Sequence, residues 1–179
     1  MSAVVVRDAV PDDAAAILGV RNTTWQTAYA HVFPAESLRG LGDAVEDWTE
    51  SLRERIASPA GCAHTLVVEA DGRIAGFASL GSTGDGEDYP EHVGELYAIY
   101  VLPDAQGQGI GQALMVETLS RLRAEAFSEA VLWVLEDNPR TRRFYELSGW
   151  RPDGSVKEEE WLGTLVREVR YRIALKLAA

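Results

Sequence analysis

Cysteine occurs once in this chain, at Cys62, which excludes an internal disulfide and any zinc cluster built on cysteine. Histidine is nearly as scarce. His31, His64 and His92 lie far apart and show no ligand spacing, so no metal is expected. No apolar run approaches the roughly 18 residues that a membrane-spanning helix needs. The opening MSAVVVRDAVPDD also lacks the apolar core of an export signal. The expectation is a soluble, cytoplasmic protein with no membrane partner. Glycine and proline number 16 and 7 in 179 residues, too few for a low-complexity or collagenous chain. Basic residues are short too: 17 Lys and Arg stand against 28 Asp and Glu, a net charge of −11. Without a basic stripe, a nucleic-acid partner is excluded. The acidity suits a cationic small molecule or a basic peptide, or simply keeps the chain soluble. It is concentrated between Gly84 and Glu95, where Asp85, Glu87, Asp88, Glu91 and Glu95 occur with no Lys or Arg.

What is present is ordinary globular material, 46% hydrophobic and 25% charged. The length predicts one domain over residues 1–179, long enough for a core without staples. Residues 3–7 read as a first strand. Pro11, Asp12 and Asp13 open a helix, because proline and carboxylates suit its first turn. Ile17, Val20, Thr24 and Ala28 give that helix an inward stripe. A second, acidic helical segment covers about 35–57. His64–Ala70 and Arg73–Leu80 are β-rich runs around the hairpin dipeptide Asp71-Gly72. The run Val93–Leu102, almost wholly apolar and aromatic, predicts a central strand covered on both faces. Pro103 stops it. After a glycine-rich loop, a helix runs to about Phe127, with Met115, Leu119, Leu122 and Ala126 as its inner stripe. Ala130–Leu135 predicts another strand. Asn138-Pro139 then opens a short helix that Gly149 closes with a left-handed cap. Val156–Leu162 and Thr164–Lys176 read as a final antiparallel pair. The order β-α-α-β-β-β-α-β-α-β-β belongs to a mixed α/β layer fold.

The loop Gln106-Gly107-Gln108-Gly109-Ile110-Gly111 lies between a strand and a helix, where glycines let backbone approach an anion and the helix offers unpaired N–H groups. A Walker loop needs Gly-Lys-Ser/Thr, and no lysine is present. A dinucleotide fingerprint needs a third glycine or alanine where Gln112 and Leu114 stand. What fits is Gln-x-x-Gly-x-Gly. With the preceding ELYAIYVLP and the following ALM, it resembles the acetyl-CoA pyrophosphate loop of the GCN5-related N-acetyltransferase (GNAT) family. Asn138, then Phe144-Tyr145, then Gly149-Trp150, is similar to the later motif of the same family, in the same order.

The resemblance implies a mostly antiparallel central sheet flanked by helices and splayed between the fourth and fifth strands. It implies acetyl-CoA as co-substrate, with the pyrophosphate on the backbone of Gln106, Gly107, Gln108, Gly109, Ile110 and Gly111. The backbone near Ile99 and Tyr100 would hold the acetyl oxygen, and Val101 would pair with the pantetheine arm as an added strand. Asn138 serves as a pantetheine ligand, as the helix cap, or as both. Acetyl transfer to an amine also needs a proton acceptor and a donor for the leaving thiolate. Glu95 opens the central strand at the spacing where one branch of the family carries its catalytic Glu. Entering an apolar strand favours a raised carboxyl pKa, and the rival reading is a strand-end Glu facing water. Tyr145 resembles the family tyrosine that serves the departing sulfur; its rival reading is a core aromatic. Arg140, Arg142 and Arg143 read better as a solvated helix face than as a phosphate site. Cys62 has no designed partner, so transfer is expected without an acyl-enzyme.

Trp25 and Tyr29, with Phe33, fall where the resemblance places an acceptor wall, though their spacing also describes a buried helix face. The acceptor is read as a polyamine, an amino sugar or a peptide amine, and the protein as a monomer or homodimer. A rival reading is an acyl-CoA-binding sensor with little turnover. A second rival is an enzyme holding a nucleotide phosphate in the same loop, which competition between ATP and coenzyme A would expose.

Overall fold

The computed structural model describes residues 4–42, 45–83 and 89–175. Among these residues, seven strands form one sheet in the order β1-β2-β3-β4-β5-β7-β6. These are β1 (Val5–Asp8), β2 (His64–Ala70), β3 (Arg73–Ser82), β4 (Val93–Val101), β5 (Glu129–Leu135), β6 (Arg151–Trp161) and β7 (Thr164–Ala174). Every neighbouring pair is antiparallel except β4 and β5, which run parallel. The β2–β3 hairpin closes through Asp71 and Gly72, both at positive φ, as a two-residue turn of this composition requires.

Alternation along β2 sends side chains to both faces and explains its dense apolar run. Leu66 and Val68 join a core with Leu114, Met115 and Leu122 of α4 (Ile110–Ala124), while Val67 joins Ile17 and Val20 of α1 (Ala14–Ala28). The first core continues past α5 (Pro139–Leu147) to Tyr145, Trp150 and Tyr171. No helix among the described residues is long and apolar enough to cross a membrane.

Four readings need correction. The acidic segment 35–57 is not one helix: α2 (Ala35–Arg39) passes into a 3-10 turn, Gly40–Gly42, before α3 (Val45–Ala57). The poor helix propensity of glycine accounts for the break. The stripe on α4 stops at Leu122. Ala126 lies beyond the helix end, exposed and at φ 63°, and Phe127 fills the core in its place. Strand β6 begins earlier than expected, at Arg151, through an irregularity between Pro152 and Val156. Lys176, the expected end of β7, lies outside the described residues. Finally, β4 is covered on both faces only in its first half. Val93, Gly94 and Leu96 are buried, whereas Tyr97 is 46% exposed and residues 98–101 are half-buried. The second half of that strand is a wall.

Candidate active site

The wall arises because β4 and β5 pair over three rungs only, Val93–Glu129, Gly94–Ala130 and Glu95–Val131, and then part. On the other side β4 stays paired with β3 as far as Val101. That pairing slips once: Leu96 faces Leu80 and Ala98 faces Ser79, leaving Tyr97 as an extra residue in a bulge. The bulge changes the facing of the strand. Leu96 packs on the α4 side, but Ala98 and Tyr100 pack on the α1 side, where unbroken alternation would have kept all three together. Ile99 and Val101 rejoin the α4 side. A cleft of about 970 Å³ opens between the parted strands. The end of α1, the glycine loop and the start of α5 close its rim.

At the loop end, Gly107 and Gly109 have φ of 78° and 80°, a region in which L side chains are strained. Ala113 N–H is the first to bond back along α4, to Gly109 O at 2.9 Å. The N–H groups of Ile110, Gly111 and Gln112 therefore have no partner within the helix, at its positive end. Gly107, Gly109, Gly111 and Gln112 line the cleft. Ile110 does not. Its side chain is buried in the core, so only its backbone can serve a ligand. Gln106 lines the cleft, but its Nε2 donates to Val101 O at 3.0 Å, tying the loop to the end of β4. Gln108 points elsewhere, donating to Asp104 O at 3.1 Å. A Cβ on Gly111 would meet the Phe144 ring at 3.4 Å, which is ordinary contact. Across the rim, Asn138 Oδ1 accepts from Thr141 N–H at 3.2 Å and caps α5.

Of the arginine cluster, Arg140 reaches the cleft. Arg142 is structural, donating to Tyr171 Oη and Glu136 O, both at 3.1 Å. Arg143 pairs with Glu146 at 3.6 Å on the helix surface.

Glu95, half-buried, occupies the last shared rung and lines the cleft at its apex. Burial of the Tyr97 phenol, and then the Glu95 charge, push that phenol up. Tyr145 also lines the cleft, from a ring packed among Phe144, Trp150 and Tyr171. It is therefore both a core aromatic and a cleft residue. Burial pushes its phenol well above the ordinary value, so it is protonated at neutral pH.

The opposite end is aromatic. Tyr29 lines the cleft, whereas Trp25 stands one layer behind it. Trp25 is 8% exposed, edge-on to Tyr29 at 5.1 Å and stacked on Trp161 and Phe33 at 5.6 and 5.9 Å. Burial raises the phenols of Tyr29 and Tyr100 as well. His31 Nε2 and Asp137 O, 3.0 Å apart, join the turn after α1 to the loop before α5. Of the acidic stretch, Asp85, Glu87 and Asp88 lie outside the described residues, and Glu91 is exposed.

Sequence reasoning missed the contribution of β5 and the last hairpin. Trp133 of β5, Lys157 and Trp161 of β6, and Glu168 of β7 all line this end of the cleft. Lys157 Nζ sits 4.8 Å from the Trp133 ring centre and pairs with Glu159 at 2.9 Å. One signal was available. Glu168 alternates with Val166 in a strand whose Val166 position turns to the core, which places a carboxylate on an inward face.

A family model described as the Acetyltransferase (GNAT) family matches residues 22–150. The uncharacterized N-acetyltransferase YuaI of Bacillus subtilis is 33% identical over 139 residues, 76% of this chain and 74% of that protein. A mycothiol acetyltransferase of Geodermatophilus obscurus is 34% identical over 134 residues, 74% of this chain. The match takes in only 42% of that longer relative. Among solved structures, the PaiA N-acetyltransferase of Thermoplasma acidophilum in complex with coenzyme A superposes with a TM-score of 0.75. It is 19% identical and the match covers 96% of this chain and 99% of that one, a likeness of fold.

Proposed function

This chain belongs to the GNAT family of acetyltransferases, as an acetyl-CoA-dependent N-acetyltransferase, and we propose that it moves the acetyl group directly to a primary amine, with Glu95 as general base and Tyr145 as the donor to sulfur. The acceptor we assign is a small cationic amine or a peptide amine. The observation that carries this reading is that one cleft gathers Glu95, Tyr145, the unpaired edge of β4 and the glycine loop.

The residues present fit the donor. Two loop glycines hold φ values that keep side chains off the backbone, and three helix N–H groups are left for the pyrophosphate oxygens. Past Glu95, β4 is unpaired on its β5 side, so the backbone of the Ile99–Val101 segment, at Ile99 and Val101, can bond the pantetheine arm and the acetyl oxygen, while the backbone of Tyr100 stays on β3. Asn138 Oδ1 is committed to capping α5, which leaves Nδ2 for a pantetheine carbonyl. Bound acetyl-CoA supplies the thioester that the amine attacks. An alkylamine is mostly ammonium at neutral pH, and Glu95 at the apex takes its proton, directly or through water. Tyr145 stays protonated because burial disfavours the phenolate, so it holds a proton for the thiolate that leaves. We read the chain as one domain acting in the cytoplasm, as a monomer or a homodimer.

Release of coenzyme A thiol from acetyl-CoA, measured against polyamines, amino sugars, amino acids and basic peptides, tests the reading. Turnover with a marked preference supports it. Acetyl-CoA binding with no turnover on any amine overturns it in favour of a sensor.

A further inference from the structure

Glu168 is the most deeply buried of the charged side chains in this cleft that the proposed transfer leaves unused. It is 3% exposed, yet it lines the cleft between the parted strands. Burying a carboxylate is costly unless its oxygens are satisfied. Here Oε2 is fully covered. Its partner is Lys157, whose Nζ stands 3.1 Å from that oxygen in an ion pair. Lys157 is divided between two carboxylates, lying closer to Glu159 at 2.9 Å while resting over Trp133. Burial pushes the Glu168 carboxyl up and Lys157 draws it back; with both carboxylates ionised, Lys157, Glu159 and Glu168 sum to one negative charge. The next group along the same face does not offset it, because Arg170 and Arg172 are matched by Asp153 and Glu129. Around Glu168 the cleft presents Tyr29, Tyr100, Trp133 and Trp161, aromatic faces of the kind that hold a cation.

We propose that Glu168 is the specificity-determining residue for the acceptor, and that it binds a second ammonium group, so that the preferred substrates are diamines or longer polyamines. This rests on the N-acetyltransferase reading above and deepens it. The reacting amine goes to Glu95 at the apex, and the second cation neutralises the excess charge beside Lys157. The distance between the two nitrogens then becomes the selected quantity.

The test compares straight-chain diamines of graded length with monoamines and amino alcohols of equal length, using the wild-type chain and Glu168→Gln. The wild type should favour one diamine length over its monoamine by about 10- to 100-fold in kcat/KM, the range of a hydrogen bond to a charged group. Glu168→Gln should raise KM for that diamine by the same factor. Its kcat at saturation and its KM for acetyl-CoA should hold, with Tm not lowered. Equal wild-type rates on diamine and monoamine overturn the inference, as does an unchanged preference in Glu168→Gln. Amino alcohols matching diamines overturn the second charge. A loss shared equally by all acceptors, accompanied by a fall in Tm, assigns Glu168 to the fold instead. In each of those cases the wild type still acetylates amines, so the transferase reading survives. If no amine reacts while acetyl-CoA binds, both readings fall together.

Discussion

Glu95 and Val131 form the last rung that β4 and β5 share, and from Tyr97 and Trp133 onward the two strands line an open cleft instead of pairing with each other. The carboxylate thus stands where the two strands part. Replacing it by the isosteric amide removes proton acceptance and keeps the shape. Glu95→Gln should lower kcat by about 10²–10⁴-fold, with acetyl-CoA affinity unchanged by equilibrium binding. An unchanged rate removes Glu95 from the mechanism.

Tyr145→Phe keeps the packing against Phe144, Trp150 and Tyr171 and deletes only the hydroxyl. Turnover should fall by about 10²-fold, while the melting temperature stays close to that of the wild type. A retained rate with a lower melting temperature would assign this tyrosine to the core alone.

Gly109 has open space where a Cβ would go, but its φ is 80°. Gly109→Ala should therefore cost about 1 kcal/mol through backbone strain. It should also weaken coenzyme A binding by about 10-fold or more, by setting a methyl group on the pyrophosphate cradle. Calorimetric titration with coenzyme A checks this, and full affinity refutes the placing of the loop.

Gly94 is a packing position. A Cβ there would lie 2.7 Å from Leu122 and 2.8 Å from the Phe127 ring. Gly94→Ala should force α4 off the sheet and destabilise by about 1–3 kcal/mol, read as a lower midpoint in urea with the slope unchanged. Because the neighbouring rung carries Glu95, the same variant should also slow transfer.

Three buried phenols predict the alkaline behaviour. Tyr29, Tyr100 and Tyr145 hold their protons more tightly folded than unfolded, because burial disfavours the phenolate. Below about pH 10, the unfolded value, both states keep these protons and the tyrosines give stability no slope. Above it the unfolded chain binds fewer protons, so stability falls as pH rises. Urea midpoints between pH 8 and 11 should be flat at first and then drop, and the drop should be shallower in Tyr145→Phe.

Much of the fold was legible because its signals are local. Asp71-Gly72 marks a tight hairpin, Asn138-Pro139 marks a helix start, and the glycines after Pro103 mark a strand-to-helix loop. The failures are equally physical. The apolar run of β4 predicted a strand buried on both faces, since hydrophobicity reports that a side chain leaves water, not what covers it. In this protein a cleft replaces the covering layer beyond Leu96. Trp25 and Tyr29 share one spacing and one chemistry, and only packing put Trp25 behind and Tyr29 in front.

The sequence by itself determined the order of elements and the glycine loop with its free helix N–H groups. Each depends on residues within a turn or two of one another. The tertiary structure alone decided where β4 and β5 separate and which way the strand faces after the Tyr97 bulge. It also brought Glu168 and Lys157 into the same cleft as Glu95. Those relationships join strands far apart in the chain, because β7 enters the sheet between β5 and β6, and periodicity along one strand carries no record of the strand laid beside it.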